Sequence, residues 1–286
     1  MRLSSGWIVA HPYYDEWCLS NEDRPEVLAR ELAYHQELYS GFAQRHFAKP
    51  AVRALRAHLA RRILRTTGAG RRHRALSLGC GIGDTELLLA PQLAEIVGID
   101  LAPAAVRQAA EDAARLGCEN ARFLEGTLES APLEGKFDLV LGVFFLHHLP
   151  QEALHALPAQ LRRVLAPGGV FYGLDPNRYR LSGAVGGLLF PALMRKYQTP
   201  DERQLDPREI SELFTRAGFR CRTTYYDFVS SPLAGLLPGW RSGYLAARAA
   251  DNLLVRVPGL RRLGSNFELV AVSESAELPP GPAPRR

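Results

Sequence analysis

The run Ala75-Leu76-Ser77-Leu78-Gly79-Cys80-Gly81-Ile82-Gly83-Asp84 constrains this chain more than any other segment. An apolar strand that breaks into closely spaced glycines before a helix makes a turn whose backbone lies flat against a ligand, because glycine has no side chain to hold the ligand away. The next apolar run, Val97-Gly98-Ile99, ends in Asp100. A carboxylate at the end of the second strand of a strand and helix alternation is placed to accept hydrogen bonds from ribose hydroxyls. Together these features point to a nucleoside-containing cofactor.

The spacing of Gly79, Gly81 and Gly83 narrows the choice. A dinucleotide fingerprint, G-x-G-x-x-G, needs glycine where Asp84 stands, and a negative charge at that helix start repels a pyrophosphate. A phosphate-free cofactor is favoured. The loop is followed in order by Phe137-Asp138-Leu139-Val140, by Phe145-Leu146-His147-His148-Leu149 and by Leu165-Ala166-Pro167-Gly168-Gly169. With these pieces the chain resembles the class I S-adenosylmethionine-dependent methyltransferases. The resemblance implies a Rossmann-like, doubly wound α/β fold with a seven-stranded sheet. That sheet is mostly parallel, with the last strand antiparallel between the fifth and sixth, and helices cover both faces. It also implies S-adenosyl-L-methionine as cofactor and S-adenosyl-L-homocysteine as product, held by Ser77, Gly79, Cys80, Gly81, Gly83, Asp100, Leu101, Thr127, Leu128, Gly142 and Val143.

The chain departs from the family pattern twice. An acidic residue usually stands two before the first glycine, where its carboxylate holds the cofactor's amino group; this chain has Ser77, a weaker partner for an ammonium. Asp84 is the candidate replacement. After the third strand the family often has Gly-Asp, and here the residues are Gly126-Thr127-Leu128. The Thr127 hydroxyl can meet the adenine amino group while Leu128 covers the ring.

A chain of 286 residues suits one large α/β domain with insertions. Its net charge of +5, from 35 basic and 30 acidic side chains, is too small to argue for a nucleic-acid partner without clustering. The arginine groups, Arg61-Arg62, Arg71-Arg72-His73-Arg74 and Arg261-Arg262, are modest, and the second reads as a solvated entry to the first strand. No Asn-Pro-Pro-aromatic motif follows the fourth strand, where the chain has Gly142-Val143-Phe144-Phe145. Cys18, Cys80, Cys118 and Cys221 are scattered without metal-ligand spacing, so no metal is expected. Cys80 reads as a small apolar filler beneath the loop. Reduced thiols, with no signal peptide and no apolar run long enough to span a bilayer, lead to the expectation of a cytoplasmic protein.

Helical periodicity runs from Pro25 to Thr67, so residues 1–70 form a helical cap ahead of the core. Strands are predicted near Ala75–Leu78, Glu95–Ile99, Arg122–Glu125, Phe137–Leu141, Val170–Leu174, Phe219–Phe228 and Asn266–Val272. Pro103 and Gly117 bracket one helix, and Pro207 to Ala217 forms another that ends at Gly218. Pro158 predicts a kink or restart in the helix before Pro167. The methyltransferase domain is placed at 71–276, with insertions at 176–206 and 230–265, and a proline-rich disordered tail at 277–286. Both insertions are apolar and start beside the ligand-binding edge of the sheet, which makes them candidate lids; packing within the chain, a second copy of it, or a membrane surface are the other uses.

Methyl transfer from a sulfonium is an in-line displacement at carbon that needs positioning and exclusion of water, and a hydroxyl acceptor also needs a base. His147 and His148 follow the fourth strand, where the resemblance places the methyl group, and an imidazole suits proton removal or loop bracing. His11, Tyr13, Tyr14, Asp175, Tyr179 and Tyr197 are candidate substrate contacts. Transfer to oxygen of a small or lipid-like metabolite is the expected reaction. N- or C-methylation and a non-catalytic, cofactor-binding partner subunit are the alternatives.

Overall fold

The computed structural model of the protein describes residues 46, 48–183, 204–273 and 276–279. The first periodic segment of the cap, most of the 176–206 insertion and the end of the tail lie outside these residues. Helix α1 (Pro50–Thr67) opens with proline at its first turn, where no intrahelical N–H is needed, and closes on Gly68 in the left-handed conformation, φ 73°. Strands β1 (Arg74–Leu78), β2 (Glu95–Asp100), β3 (Ala121–Glu125) and β4 (Phe137–Val143) follow, interleaved with the short α2 (Glu86–Leu89) and with α3 (Pro103–Leu116). The second half comprises α4 (Gln151–Val164), β5 (Leu165–Pro176), α5 (Pro207–Arg216), β6 (Phe219–Asp227), α6 (Ser230–Leu236), α7 (Arg241–Leu254) and β7 (Asn266–Ser273).

The seven strands form one sheet in the order β3-β2-β1-β4-β5-β7-β6. Pairs among β1 to β5 are parallel, and β7 runs antiparallel to both β5 and β6. Side chains that alternate along the strands feed two cores. Ala75, Leu139, Leu141, Tyr172 and Val270 meet Leu59 and Ile63 of α1 on one face. On the other, Leu76, Val140, Phe171 and Leu269 meet Leu157 and Leu161 of α4 and Phe214 of α5. Covering both faces with helices is what lets a largely parallel sheet bury itself.

In two places the elements differ from the sequence pattern. Helix α4 runs unbroken through Pro158, so no restart occurs; Leu154, Leu157 and Leu161 are buried in the sheet core, and that packing outweighs the one helical bond that proline cannot donate. Strand β5 begins at Leu165 rather than Val170, because Leu165 already pairs with Phe137 before the register shifts. Gly168, at φ 78°, and Gly169, where a Cβ would stand 2.9 Å from the Ala166 carbonyl oxygen, form that irregularity.

The second insertion folds as α6 and α7, which pack on α1, followed by a short 3-10 turn at Leu260–Leu263. Tyr244 is fully buried, its hydroxyl 3.0 Å from His58 Nδ1, and Ala51 N–H donates to the Pro238 carbonyl at 2.8 Å. Asp251, also buried, accepts the Ser230 N–H at 2.8 Å and so caps α6.

A buried carboxylate joins helix and sheet. Glu268 on β7 accepts from the Arg62 guanidinium, from the Tyr172 hydroxyl at 2.6 Å and from the Thr224 hydroxyl at 2.8 Å. Burial alone would raise the Glu268 carboxyl, but Arg62 beside it holds it below the ordinary carboxylate range. Replacing Arg62 by methionine leaves this charge buried without its cation. The expected cost is about 3–5 kcal/mol of unfolding free energy, read by urea denaturation at neutral pH.

Candidate active site

The carboxyl ends of β1, β2, β4 and β5 meet at one edge, since Ser77 pairs with Gly98, Leu78 with Gly142 and Gly142 with Gly173. There β1 opens into a turn in which Gly79, Gly81 and Gly83 all take positive φ, at 64°, 53° and 72°. L side chains rarely adopt this conformation, and it lets the chain reverse from strand into α2 within a few residues. Neighbouring rings also fill the space. A Cβ on Gly79 would lie 2.6 Å from the Phe145 ring, and one on Gly83 would lie 2.7 Å from the Phe123 ring. Gly98 is equally closed, with Cys80 Sγ 2.8 Å from where its Cβ would stand. Cys80 is thus the buried filler that its position in the loop suggests, and burial raises its thiol well above the ordinary range.

Asp100 closes the turn from the adjacent strand. Its Oδ2 accepts the Gly81 N–H at 2.8 Å and its Oδ1 the Ala102 N–H at 2.9 Å. Each carboxylate oxygen can accept twice, so both keep capacity for hydroxyl donors. Leu101 is 39% exposed beside it. The loop after β3 is tied here as well, through the Gly126 N–H on the Asp100 carbonyl at 2.9 Å. In that loop the Thr127 hydroxyl accepts the Ser130 N–H at 3.2 Å and lies 3.1 Å from Ser130 Oγ, so it caps a turn, while Leu128 packs against the core. This combination fits a nucleoside: a side-chain-free turn, a partly exposed carboxylate with spare acceptor capacity and an apolar residue beside it.

Ser77 is buried and donates to Glu86 Oε1 at 2.6 Å. The sequence singles out Asp84 as the replacement acid, yet Asp84 Oδ2 lies 2.7 Å from Arg56 Nε of α1 and is engaged there. The residue facing Ser77 is Glu86, whose Oε2 is buried with no hydrogen-bond partner among the described residues. Burial pushes its carboxyl up to about 7, against the Ser77 hydroxyl bond, which lowers it. Only an acid in the first turn of a helix marks Glu86 in the sequence, and acids are ordinary there.

Beyond β4, Gly142 and Val143 lead into Phe144 at φ 56°, a strained conformation for a bulky residue, held by its N–H on the Leu174 carbonyl at 2.7 Å. The turn sets His147 against Asp175 at the end of β5. His147 Nδ1 lies 2.8 Å from Asp175 Oδ1, and the His147 backbone N–H donates to the same oxygen at 3.2 Å. Both residues are buried. Burial pushes the Asp175 carboxyl up to about 8, although the His147 N–H and the nearby His148 work to lower it. The His147 and His148 rings are 4.0 Å apart. Tyr179 is placed differently, its hydroxyl donating to Asp206, the N-cap of α5. Asn177 is a buried latch whose amide donates to the Arg262 and Gly264 carbonyls, both at 2.8 Å. His11, Tyr13, Tyr14 and Tyr197 lie outside the described residues.

A family model described as a methyltransferase domain matches residues 75–169, from β1 to the irregularity in β5. The chain is 31% identical over 150 residues to an uncharacterized methyltransferase of Synechocystis sp., covering 51% of this chain and 66% of that protein. It is 30% identical over 204 residues to trans-aconitate 2-methyltransferase of Methylobacterium radiotolerans, covering 65% and 68%. It spans 44% of the length of another relative, the uncharacterized methyltransferase YcgJ of Bacillus subtilis. The solved structure of that YcgJ protein superimposes with a TM-score of 0.53 at 20% identity, over 77% of this chain and 99% of that one. The DhpI–SAH complex does so at 0.55 and 15% identity, over 87% and 98%. At those identities the superpositions speak for the fold.

Replacing Asp100 by alanine removes the acceptor of the Gly81 N–H together with any bond to a ligand hydroxyl. Affinity for S-adenosylmethionine by calorimetry is expected to fall by about 1.5–3 kcal/mol, the scale of hydrogen bonds to a charged group. An unchanged affinity would remove Asp100 from the site.

Proposed function

The chain belongs to the S-adenosylmethionine-dependent methyltransferases, and on that premise we propose that it methylates a hydroxyl oxygen of a small or lipid-like molecule. S-adenosylmethionine, when bound, supplies an electrophilic methyl group on a sulfonium. Asp100 and the Gly79–Gly83 backbone hold the nucleoside side of the site, and Gly142 and Val143, at the end of β4, lie beside the Phe145 ring and the end of β1.

The observation that carries the choice of oxygen is the His147–Asp175 pair. A hydroxyl is a poor nucleophile until its proton is taken, and an imidazole oriented through Nδ1 by a buried acid has the chemistry of a general base. In the tautomer with hydrogen on Nδ1, Asp175 fixes the ring, and positive charge developing on the imidazole would favour the ionised Asp175 carboxylate that burial opposes. Both partners are largely withdrawn from water, which strengthens that interaction.

The reading of a small or lipid-like acceptor rests on other features. Two of the arginine clusters are partly used inside the fold, Arg62 on Glu268 and Arg74 on Glu95, which leaves little concentrated charge for a phosphate backbone. Leu236, Leu237, Trp240 and Leu253 are exposed on the second insertion and offer apolar surface to an acceptor or its carrier. No helix among the described residues is long and apolar enough to cross a membrane.

The test is incubation of the purified chain with methyl-labelled S-adenosylmethionine and fractionated metabolite and lipid extracts, followed by identification of the labelled atom. An O-methyl product is expected, and an N- or C-methyl product would overturn the assignment of oxygen. With that acceptor, His147→Ala should lower kcat by about 100- to 10,000-fold, the usual contribution of a general base, while S-adenosylhomocysteine affinity stays within about twofold. A variant with full turnover would show that His147 only braces the turn.

A further inference from the structure

Glu86 is a buried acid at the base of the glycine turn that has neither an ion pair nor a hydrogen bond on its second oxygen among the described residues, and Arg56 acts on it only through space. Its side chain is 97% buried by the 3% exposure of the residue, one oxygen is taken by the Ser77 hydroxyl at 2.6 Å, and the other has no hydrogen-bond partner among the described residues. A carboxylate in such a place is costly unless a donor or cation comes to it. The guanidinium of Arg56, which favours the ionised form of Glu86 through space, has its Nε on Asp84 at 2.7 Å and its Nη1 3.4 Å from the Thr85 hydroxyl.

The placement of Glu86 says what could come. Ser77 stands two residues before Gly79 and Glu86 three after Gly83, so the hydroxyl–carboxylate pair brackets the turn at its base. The Ser77 bond also selects one rotamer of Glu86 and leaves Oε2 as the free acceptor. A ligand lying along the turn with its nucleoside at Asp100 would carry its other end past this pair. We infer that Glu86, oriented by Ser77, binds the primary ammonium of the cofactor's amino-acid portion. This rests on the S-adenosylmethionine reading above, and it moves the ammonium partner from the end of β1 to the first turn of α2. An ammonium there would favour the ionised carboxylate that burial opposes, so binding and ionisation of Glu86 support each other. Ser77 acts as a positioning residue through Glu86.

The experiment uses the full chain and three ligands: S-adenosylhomocysteine, its analogue without the α-ammonium, and 5′-methylthioadenosine, which lacks the whole amino-acid portion. In the wild type, loss of the ammonium should weaken binding about 10- to 100-fold, the range for a hydrogen-bonded charge. Glu86→Gln keeps the shape and an acceptor for Ser77. It should weaken S-adenosylhomocysteine by a similar factor, leave 5′-methylthioadenosine within about twofold, and erase the preference for the ammonium. Binding of 5′-methylthioadenosine also reports that the variant is folded. A wild type that binds the ammonium-free analogue as well as S-adenosylhomocysteine overturns the inference without any variant. So does a Glu86→Gln protein that retains the preference, or one that loses all three ligands equally. A wild type that binds none of the three overturns the cofactor reading itself, an outcome distinct from failure at Glu86.

Discussion

The bond from the Gly81 N–H to Asp100 Oδ2 holds the working edge of this fold together. A strand that must turn into a helix within a few residues needs left-handed backbone conformations, and glycines supply them at the cost of a floppy unfolded chain. The N–H groups turned inward by such a loop need acceptors, and the second strand provides one at its last residue. Because the same carboxylate also takes the Ala102 N–H, it fixes the start of the next connection as well as the turn. Phe145 and Phe123 then close in where Gly79 and Gly83 have no side chains, so the loop is packed against the aromatic rings beside it.

Helix α1 ties that edge to the rest of the molecule. Along one helix, Arg56 reaches Asp84 in the turn, His58 reaches Tyr244 on α7, and Arg62 reaches Glu268 on β7. A buried ion pair of this kind contributes little net stability compared with apolar packing, but it penalises any shift of helix against sheet that separates the charges. The position of the turn and the position of β7 are thereby referred to the same helix. A change at Arg62 is expected to be felt as lost stability, whereas one at Arg56 would release Asp84 next to Glu86.

Beyond β4, a residue with positive φ, Phe144, feeds the turn that brings His147 onto Asp175. Strain in a bulky residue persists only where surrounding contacts over-determine it. Here these are the Leu174 carbonyl on its N–H and the neighbouring Phe145 ring wedged between Gly79 and Gly142. The cofactor side and the histidine side of the site therefore share one aromatic spacer.

Much of this was legible in the chain itself. Glycines spaced for a tight turn, Asp100 ending an apolar run, Pro103 and Gly117 bracketing α3, and the alternating strands of the sheet all follow from preferences that act within a few residues. The direction of β7 did not, because a period of two is the same for parallel and antiparallel strands; it was reached through family resemblance. Nor did the fold of Ser230 to Ser265 as helices on α1, whose apolar residues read equally well as a lid, nor the continuity of α4 across Pro158. The acids show the division most clearly. Asp84 and Glu86 are two residues apart, and the sequence pointed to Asp84, the acid next to the last glycine, as the replacement. Tertiary structure decided between them, since Arg56 arrives from α1 to take Asp84 and leaves Glu86 turned inward against Ser77. In the same way His147 was placed beside its strand by sequence, but Asp175, 28 residues away, became its partner only when β4 and β5 were paired. Backbone preference is local and writes itself into the sequence, whereas the pairing of buried charges depends on which distant elements pack together.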